Sequence, residues 1–174
     1  MKKNELKILD CTLRDGGYYN NWNFSTNLIN KYLKVMSDIK VDYVEIGFRS
    51  QEKKEFRGAC AYSTDEFLSS LQIPKNLKIA VMINAAELIR NKSEKKNIIA
   101  LKTLFKKSKF SKIKLVRIAS HFSEIHKVIP IANKIKALGY KIAINLMQIS
   151  DRTDKEIKEF CDLAKKINIE TIYF

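Results

Sequence analysis

The chain of 174 residues is 45% hydrophobic and 30% charged, and it carries a formal net charge of +14. This apolar fraction excludes a disordered chain, and no apolar run approaches the roughly 18 residues of a membrane span. The basic residues are 27 lysines and only six arginines, set mostly between apolar positions and without any nucleic-acid-binding motif. We therefore expect solvated helix faces and neither a nucleic-acid nor a membrane partner. Three widely spaced cysteines and the lack of a signal-peptide core predict a cytoplasmic protein.

Short apolar runs alternate with longer segments of helical period along the whole chain. The runs are rich in Ile and Val and almost continuously apolar, as expected for strands covered on both faces. The predicted strands are 7–11, 42–48, 77–83, 113–119, 140–147 and 170–174, and the predicted helices are 25–39, 93–107, 123–138 and one that begins after residue 151 or 153. This order predicts a parallel α/β sheet of five βα units and a sixth strand, either open or part of a barrel.

The turn after the first strand favours a barrel over an open nucleotide-binding sheet. It reads Arg14-Asp15-Gly16-Gly17, which matches neither GxGxxG nor GxxxxGK[ST]. A (β/α)8 barrel instead carries functional side chains at the carboxyl ends of several strands.

Polar side chains stand at those carboxyl ends. Arg14 follows the first run, Asn84 follows the third, and Glu45, Arg117 and Asn145 interrupt the second, fourth and fifth runs in their carboxyl halves. In a barrel these groups would converge on one mouth. Some of them could instead be buried ion pairs that serve structure only, for example Glu45 with Arg117.

The segment LDCTLRDGGYYNNWNF (9–24), with its string D-x-T-L-R-D-G, resembles the opening of the pyruvate-carboxyltransferase-like aldolases. This group is also called the DRE-TIM metallolyases and includes hydroxymethylglutaryl-CoA (HMG-CoA) lyase. VEIGFRS (44–50), VRIASHFSE (116–124) and NLMQIS (145–150) resemble the family's second, fourth and fifth strand ends, in the right order. The similarity is greatest to the 4-hydroxy-2-oxovalerate aldolase branch. It implies an aldolase-type TIM barrel and a metal-dependent aldolase or lyase that makes or breaks a carbon–carbon bond through a pyruvate enolate.

The resemblance also implies roles for individual residues. Asp15 corresponds to a ligand of the family's Mn2+ or Mg2+ ion, and Arg14 to the cation that steadies the enolate of a 2-oxoacid. Such an ion and a guanidinium stabilise the negative charge that develops on cleavage. For Asp15 the alternative is a turn-forming role before the two glycines.

The other implied roles are catalytic for Tyr18 and Glu45 and substrate-binding for four further residues. Tyr18 replaces a histidine that serves as the base in the aldolase branch, and a tyrosine with an ordinary pKa near 10 is a poor base at neutral pH. A different substrate is therefore expected. The predicted substrate contacts are Arg49, Arg117, His121 and Asn145.

The chain departs from the family in its length and in its histidines. A (β/α)8 barrel takes about 250 residues, and the family's H-x-H metal motif is missing from the sequence. We therefore expect residues 1–174 to be the N-terminal portion of an incomplete barrel without strands 7 and 8, weak or inactive by itself. It could be a fragment, a short protein that pairs with a barrel-completing partner or forms a homo-oligomer, or a non-catalytic homologue. An acyl-CoA-dependent Claisen synthase is the alternative enzyme, although those sequences often read RDGEQ where this one reads RDGGY.

Overall fold

A computed structural model describes residues 6–51, 56–91 and 93–174. Its six strands form one parallel sheet in which the spatial order follows the chain order. The strands are β1 (Leu9–Asp10), β2 (Tyr43–Phe48), β3 (Lys78–Asn84), β4 (Ile113–Ser120), β5 (Lys141–Leu146) and β6 (Thr171–Tyr173). With helices between its strands, the sheet is a curled half-barrel, and the predicted incomplete TIM-barrel fold is confirmed.

Seven α-helices connect the strands within the described residues. They are α1 (Thr12–Asn20), α2 (Thr26–Asp38), α3 (Asp65–Ser70), α4 (Ala85–Leu88), α5 (Glu94–Leu104), α6 (Ile125–Ala137) and α7 (Asp154–Lys166). Ser25, Thr64 and Thr153 cap α2, α3 and α7 by accepting a backbone hydrogen bond in the first turn. None of these described helices is long and apolar enough to cross a membrane.

The two faces of the sheet have different partners. The outer face carries β-branched residues that are completely buried against the helices, among them Val44, Val81 and Ile118. The inner face carries a small separate cluster, in which Tyr43, Ala80, Leu115 and Ala143 pack together with the partly buried Leu9 and Tyr173. The chain thus builds its main core outside the sheet, and the inner face holds polar side chains closer to the strand ends.

The glycine-containing segment after β1 is a helix, where the sequence predicted a turn. Helix α1 covers both glycines and is capped at its C-terminal end by Asn21, which adopts a left-handed conformation with φ of 55°. A Cβ on Gly17 would lie 2.0 Å from Cδ1 of Trp22, so only glycine lets this indole pack against the helix. The Trp22 Nε1–H donates to the Arg14 carbonyl at 2.9 Å. This packing outweighs the low helix propensity of glycine and makes Asp15 a helical residue.

A β-bulge in β2 changes which side chains face the inside of the half-barrel. Glu45 is in register with Ala80, whereas Phe48 is in register with Met82, so β2 contains one extra residue. Gly47 lies within this bulge, where a Cβ would stand 1.9 Å from the Cys60 carbonyl oxygen. The bulge reverses the side-chain alternation beyond it. In an unbroken strand the positions of Gly47 and Arg49 would face inward, whereas with the bulge Phe48 faces inward instead.

Candidate active site

Glu45 forms the centre of a charged cluster on the inner face. Its side chain is completely buried. Oε1 accepts hydrogen bonds from Arg14 Nε at 2.8 Å and from Arg117 Nη1 at 2.9 Å, and Oε2 lies 3.0 Å from the same Arg117 nitrogen. One carboxylate thus links a guanidinium of α1 to one of β4, so three of the polar groups that were predicted to converge do so.

Arg14 reaches this cluster from the first turns of α1. Its Nη1 lies 2.6 Å from Oδ1 of Asp15, whose side chain is 58% exposed. The guanidinium carbon lies 6.0 Å from the centre of the Phe48 ring, the residue that the bulge turns inward. Burial acts to lower the Arg14 pKa, but hydrogen bonding and the charge of Glu45 outweigh it and raise that pKa. Arg14 is therefore a fixed cation next to an accessible carboxylate.

Arg117 is the more deeply buried of the two guanidiniums, with 6% of the residue exposed. Its Nη1 also lies 3.1 Å from Sγ of Cys11, and its guanidinium carbon lies 4.3 Å above the centre of the Tyr173 ring. Burial raises the pKa of the Cys11 thiol and of the Tyr173 hydroxyl, while the charge of Arg117 opposes both increases. Both groups are therefore neutral neighbours of Arg117.

Asp10 fixes the start of α1, and through it the position of Arg14. Its carboxylate accepts hydrogen bonds from the Thr12 backbone N–H at 3.1 Å, from the Thr12 hydroxyl at 2.9 Å and from the Tyr32 hydroxyl of α2. Burial and the hydrogen bond to Asp10 raise the pKa of Tyr32 to about 12. The turn between β1 and α1 is thus tied to the helix layer.

An open groove lies beside Arg14, lined by five residues of α1 and the residue that precedes this helix: Cys11, Thr12, Asp15, Gly16, Tyr18 and Tyr19. Tyr18 is 62% exposed. Its ring lies edge-on to Trp22 at 4.8 Å and to Phe48 at 6.3 Å between ring centres. The structure thus places Tyr18 beside Asp15 in an accessible groove.

Two of the predicted substrate contacts lie at the carboxyl ends of their strands. Asn145 of β5 is half-buried and in register with Ala119 of β4 and with Tyr173 of β6. His121 directly follows β4 and is exposed, and its backbone N–H donates to the Glu124 carboxylate at 2.9 Å. Asn145 therefore shares the inner face with Arg117.

Arg49, which the resemblance implied as a substrate contact, lies outside this cluster. Its guanidinium donates to the Asp65 carboxylate at 2.8 Å and to the backbone carbonyls of Ser63 and Leu104, and the residue is 6% exposed. The bulge at Gly47 is the reason, because it turns Arg49 into the helix layer. There Arg49 binds the last carbonyl of α5, which ends three residues before the predicted boundary.

The residues present do not by themselves form a metal site. Within the three described ranges, no group of three or more His, Cys, Asp and Glu side chains could hold an ion. Asp15 supplies one exposed carboxylate, and Arg14 already contacts it. Mg2+ and Mn2+ are usually held by several oxygen ligands.

Two neighbours of Arg117 were not predicted from the sequence. Tyr173 stacks on the guanidinium and Cys11 accepts its hydrogen bond. Tyr173 faces the inside of the half-barrel. The apolar run that contains it is too short to show from the sequence which of its residues face inward. Cys11 stands within the D-x-T-L-R-D-G string, where its contact with Arg117 depends on the tertiary structure.

Charged side chains at the carboxyl ends of the strands of a curled parallel half-barrel stand where TIM-barrel enzymes have their active sites. The chain is a member of the HMGL-like family, whose sequence model matches residues 5–174. A search of curated protein sequences found no significant match.

Two solved structures show the same fold. The "N-terminal domain of a putative aldolase" from Bacteroides vulgatus has 27% identity and a TM-score of 0.67, and the match covers 92% of this chain and 60% of that one. HMG-CoA lyase from Bacillus subtilis has 12% identity and a TM-score of 0.67, with 97% of this chain and 57% of that one covered. This chain thus spans less than two thirds of the length of either structure. The family and the N-terminal portion of the barrel are as the sequence predicted.

Proposed function

We propose that this half-barrel carries the enolate-stabilising part of a carbon–carbon lyase that acts on a 2-oxoacid through a pyruvate enolate. The observation that supports this most strongly is the Arg14–Glu45–Arg117 cluster at the carboxyl ends of the strands. Membership of the HMGL-like family and the similarity to a structure described as an aldolase support the same class of enzyme.

The charge of the cluster suits the proposed chemistry. Glu45 is the buried counter-charge of both guanidiniums, and the second carboxylate in contact with Arg14 belongs to the exposed Asp15. Cleavage of a 4-hydroxy-2-oxoacid leaves a pyruvate enolate, with negative charge developing on the 2-oxo oxygen. A cation that is already fixed in place stabilises this charge without having to reorganise. We assign this role to Arg14, which stands beside the open groove.

Glu45 and Tyr18 take different parts in this proposal. Both oxygens of Glu45 accept hydrogen bonds from guanidiniums, so Glu45 acts by positioning Arg14 and Arg117. Tyr18 is the proposed base for the substrate hydroxyl, because its ring lines the same groove as Asp15. Arg117, Asn145 and His121 are the proposed contacts for the rest of the substrate.

The HMGL-like family generally depends on a divalent metal ion. We propose that Asp15 is the one ligand that the described residues contribute to a Mn2+ or Mg2+ site, with the other ligands coming from outside them.

β1 and β6 are the two edges of the described sheet. We propose that further strands cover these edges, supplied by more of the same polypeptide, by a partner or by a second copy. A cytoplasmic location is proposed because the three cysteines are unpaired.

Release of pyruvate tests the proposed activity. The purified protein is incubated with Mn2+ and a series of 4-hydroxy-2-oxoacids that differ beyond C4, and pyruvate is measured through lactate dehydrogenase. We expect Arg14→Lys to lower turnover while Mn2+ affinity stays nearly unchanged, because an ammonium cannot reproduce the guanidinium's several fixed donors. Arg152→Lys, in a half-buried pair with Glu156 of α7, is the matched control. Equal turnover for Arg14→Lys and the control would make Arg14 a structural residue.

A further inference from the structure

The amino-terminal ends of β4, β5 and β6 carry a dense group of lysines. The segments at these ends, 105–114, 133–141 and 165–169, contain ten lysines and no aspartate or glutamate. Because the three strands are parallel and adjacent, the segments lie side by side at one end of the half-barrel. Composition alone predicted solvated helix faces and no membrane partner, whereas the fold gathers these lysines at the end opposite the candidate active site.

Half of these lysines have no role at a helix end. Lysines in the last turn of a helix complement its dipole, which accounts for those at the ends of α6 and α7. Five others are exposed and come after the end of α5, in the turn and the first residues of β4: Lys106, Lys107, Lys109, Lys112 and Lys114. Of these, Lys107, Lys109 and Lys112 take part in none of the salt bridges among the described residues. Residues 106–114 are therefore a basic segment with largely uncompensated charge.

An exposed aromatic ring stands in the middle of the basic segment. Phe110 ends a short 3-10 turn that begins at Ser108, and it is 63% exposed. Lys109 Nζ lies 4.8 Å from the centre of its ring. The turn is fixed from the α6 side, because the Ser108 N–H donates to the Leu138 carbonyl at 2.8 Å. The backbone thus holds the ring outside the core.

Lysines around an exposed aromatic ring suit an anionic lipid surface. Lysine ammonium groups attract acidic headgroups without a fixed geometry, and phenylalanine buries its ring at the boundary between headgroups and acyl chains. A nucleic acid is favoured less, because its phosphates and bases are usually bound through arginine, and the basic segment contains none.

We propose that the basic segment binds the surface of an anionic lipid bilayer, with Phe110 entering the headgroup layer and the lysines of the three segments facing the lipids. The candidate active site lies at the carboxyl ends of the strands, so its groove faces away from the bilayer in the bound protein. The contact is peripheral and independent of the proposed lyase chemistry.

Sedimentation with lipid vesicles tests this contact on the purified chain. Vesicles of phosphatidylcholine with one third phosphatidylserine are compared with vesicles of phosphatidylcholine alone and with a single-stranded RNA oligonucleotide. The variants are Lys107→Gln with Lys109→Gln, and Phe110→Ser. Lys155→Gln with Lys158→Gln is the matched control, because both lysines are exposed in the first two turns of α7, at the opposite end of the half-barrel. Circular dichroism checks that each variant is folded.

We expect binding to the phosphatidylserine vesicles and none to phosphatidylcholine alone. Removing two lysines of the basic segment should weaken binding about 25-fold, because each lysine at an anionic surface contributes roughly fivefold. Phe110→Ser should weaken it about tenfold through the loss of apolar burial, and the control pair should weaken it much less than either. No binding to phosphatidylserine vesicles, an equal loss in the control pair, or full binding by Phe110→Ser would each overturn the inference. Tighter binding to the RNA than to the vesicles would overturn it in favour of a nucleic-acid partner.

Discussion

Replacing Glu45 with glutamine tests whether this carboxylate holds the cluster together. The side chain is completely buried, and its oxygens accept hydrogen bonds from Arg14 Nε and Arg117 Nη1 at distances of 2.8 to 3.0 Å. Glutamine keeps the shape but removes the charge, and its amide NH2 group would face guanidinium donors. Removing one partner of a buried ion pair costs about 3–5 kcal/mol. We therefore expect Glu45→Gln to lose about that much free energy of unfolding.

Urea unfolding followed by circular dichroism measures this loss. Glu159→Gln is the matched control, because Glu159 pairs with His126 on the surface and an exposed pair contributes less than about 1 kcal/mol. A second variant, Glu45→Gln with Arg117→Met, should recover part of the loss, because it removes one of the guanidiniums left without a counter-charge. A cost for Glu45→Gln below about 1 kcal/mol would refute the view that Glu45 organises the two arginines.

Three further predictions follow from single residues. Asp15→Asn should weaken Mn2+ binding, measured by electron paramagnetic resonance of free Mn2+, and an unchanged affinity would remove Asp15 from the proposed ligands. Tyr173→Phe should keep pyruvate affinity because the ring over Arg117, a proposed substrate contact, is retained, whereas Tyr173→Leu should lower it; equal affinities in calorimetry would show that the ring does not position Arg117. Gly47→Ala should lower the thermal midpoint strongly, because its Cβ would lie 1.9 Å from the Cys60 carbonyl oxygen, and an unchanged midpoint would show that the bulge can relax.

Much of the fold could be predicted because a parallel sheet covered by helices leaves a simple pattern in the sequence. The nearly continuous Ile- and Val-rich runs around Val81 and Val116 mark strands buried on both faces, and the structure has strands there. The predicted helix 25–39 is found with Ser25 as its cap. Helices α3 and α4, of six and four residues, were not predicted because they are too short to show a helical period.

The site was predictable only as far as an unbroken strand alternation allowed. Glu45 and Arg117 are brought together as expected, and the ion pair between them is real. Arg49 lies four residues after Glu45 and would face the same side of an unbroken strand. The sequence alone could not show that a bulge at Gly47 turns Arg49 to the opposite side. Tyr173 was missed because it lies on β6 and reaches across β5 to Arg117 on β4, a contact that depends on the orientation of the two side chains.

Exchange of the methyl hydrogens of pyruvate in D2O tests enolate stabilisation most directly, because it requires neither the aldehyde nor a known substrate. The purified protein is incubated with pyruvate and Mn2+, and loss of the methyl signal is followed by proton NMR. We expect exchange faster than with Mn2+ alone, reduced in Arg14→Lys and unchanged in Arg152→Lys. Exchange at the rate of Mn2+ alone, in protein that binds pyruvate, would contradict the proposal that the Arg14–Glu45–Arg117 cluster stabilises an enolate.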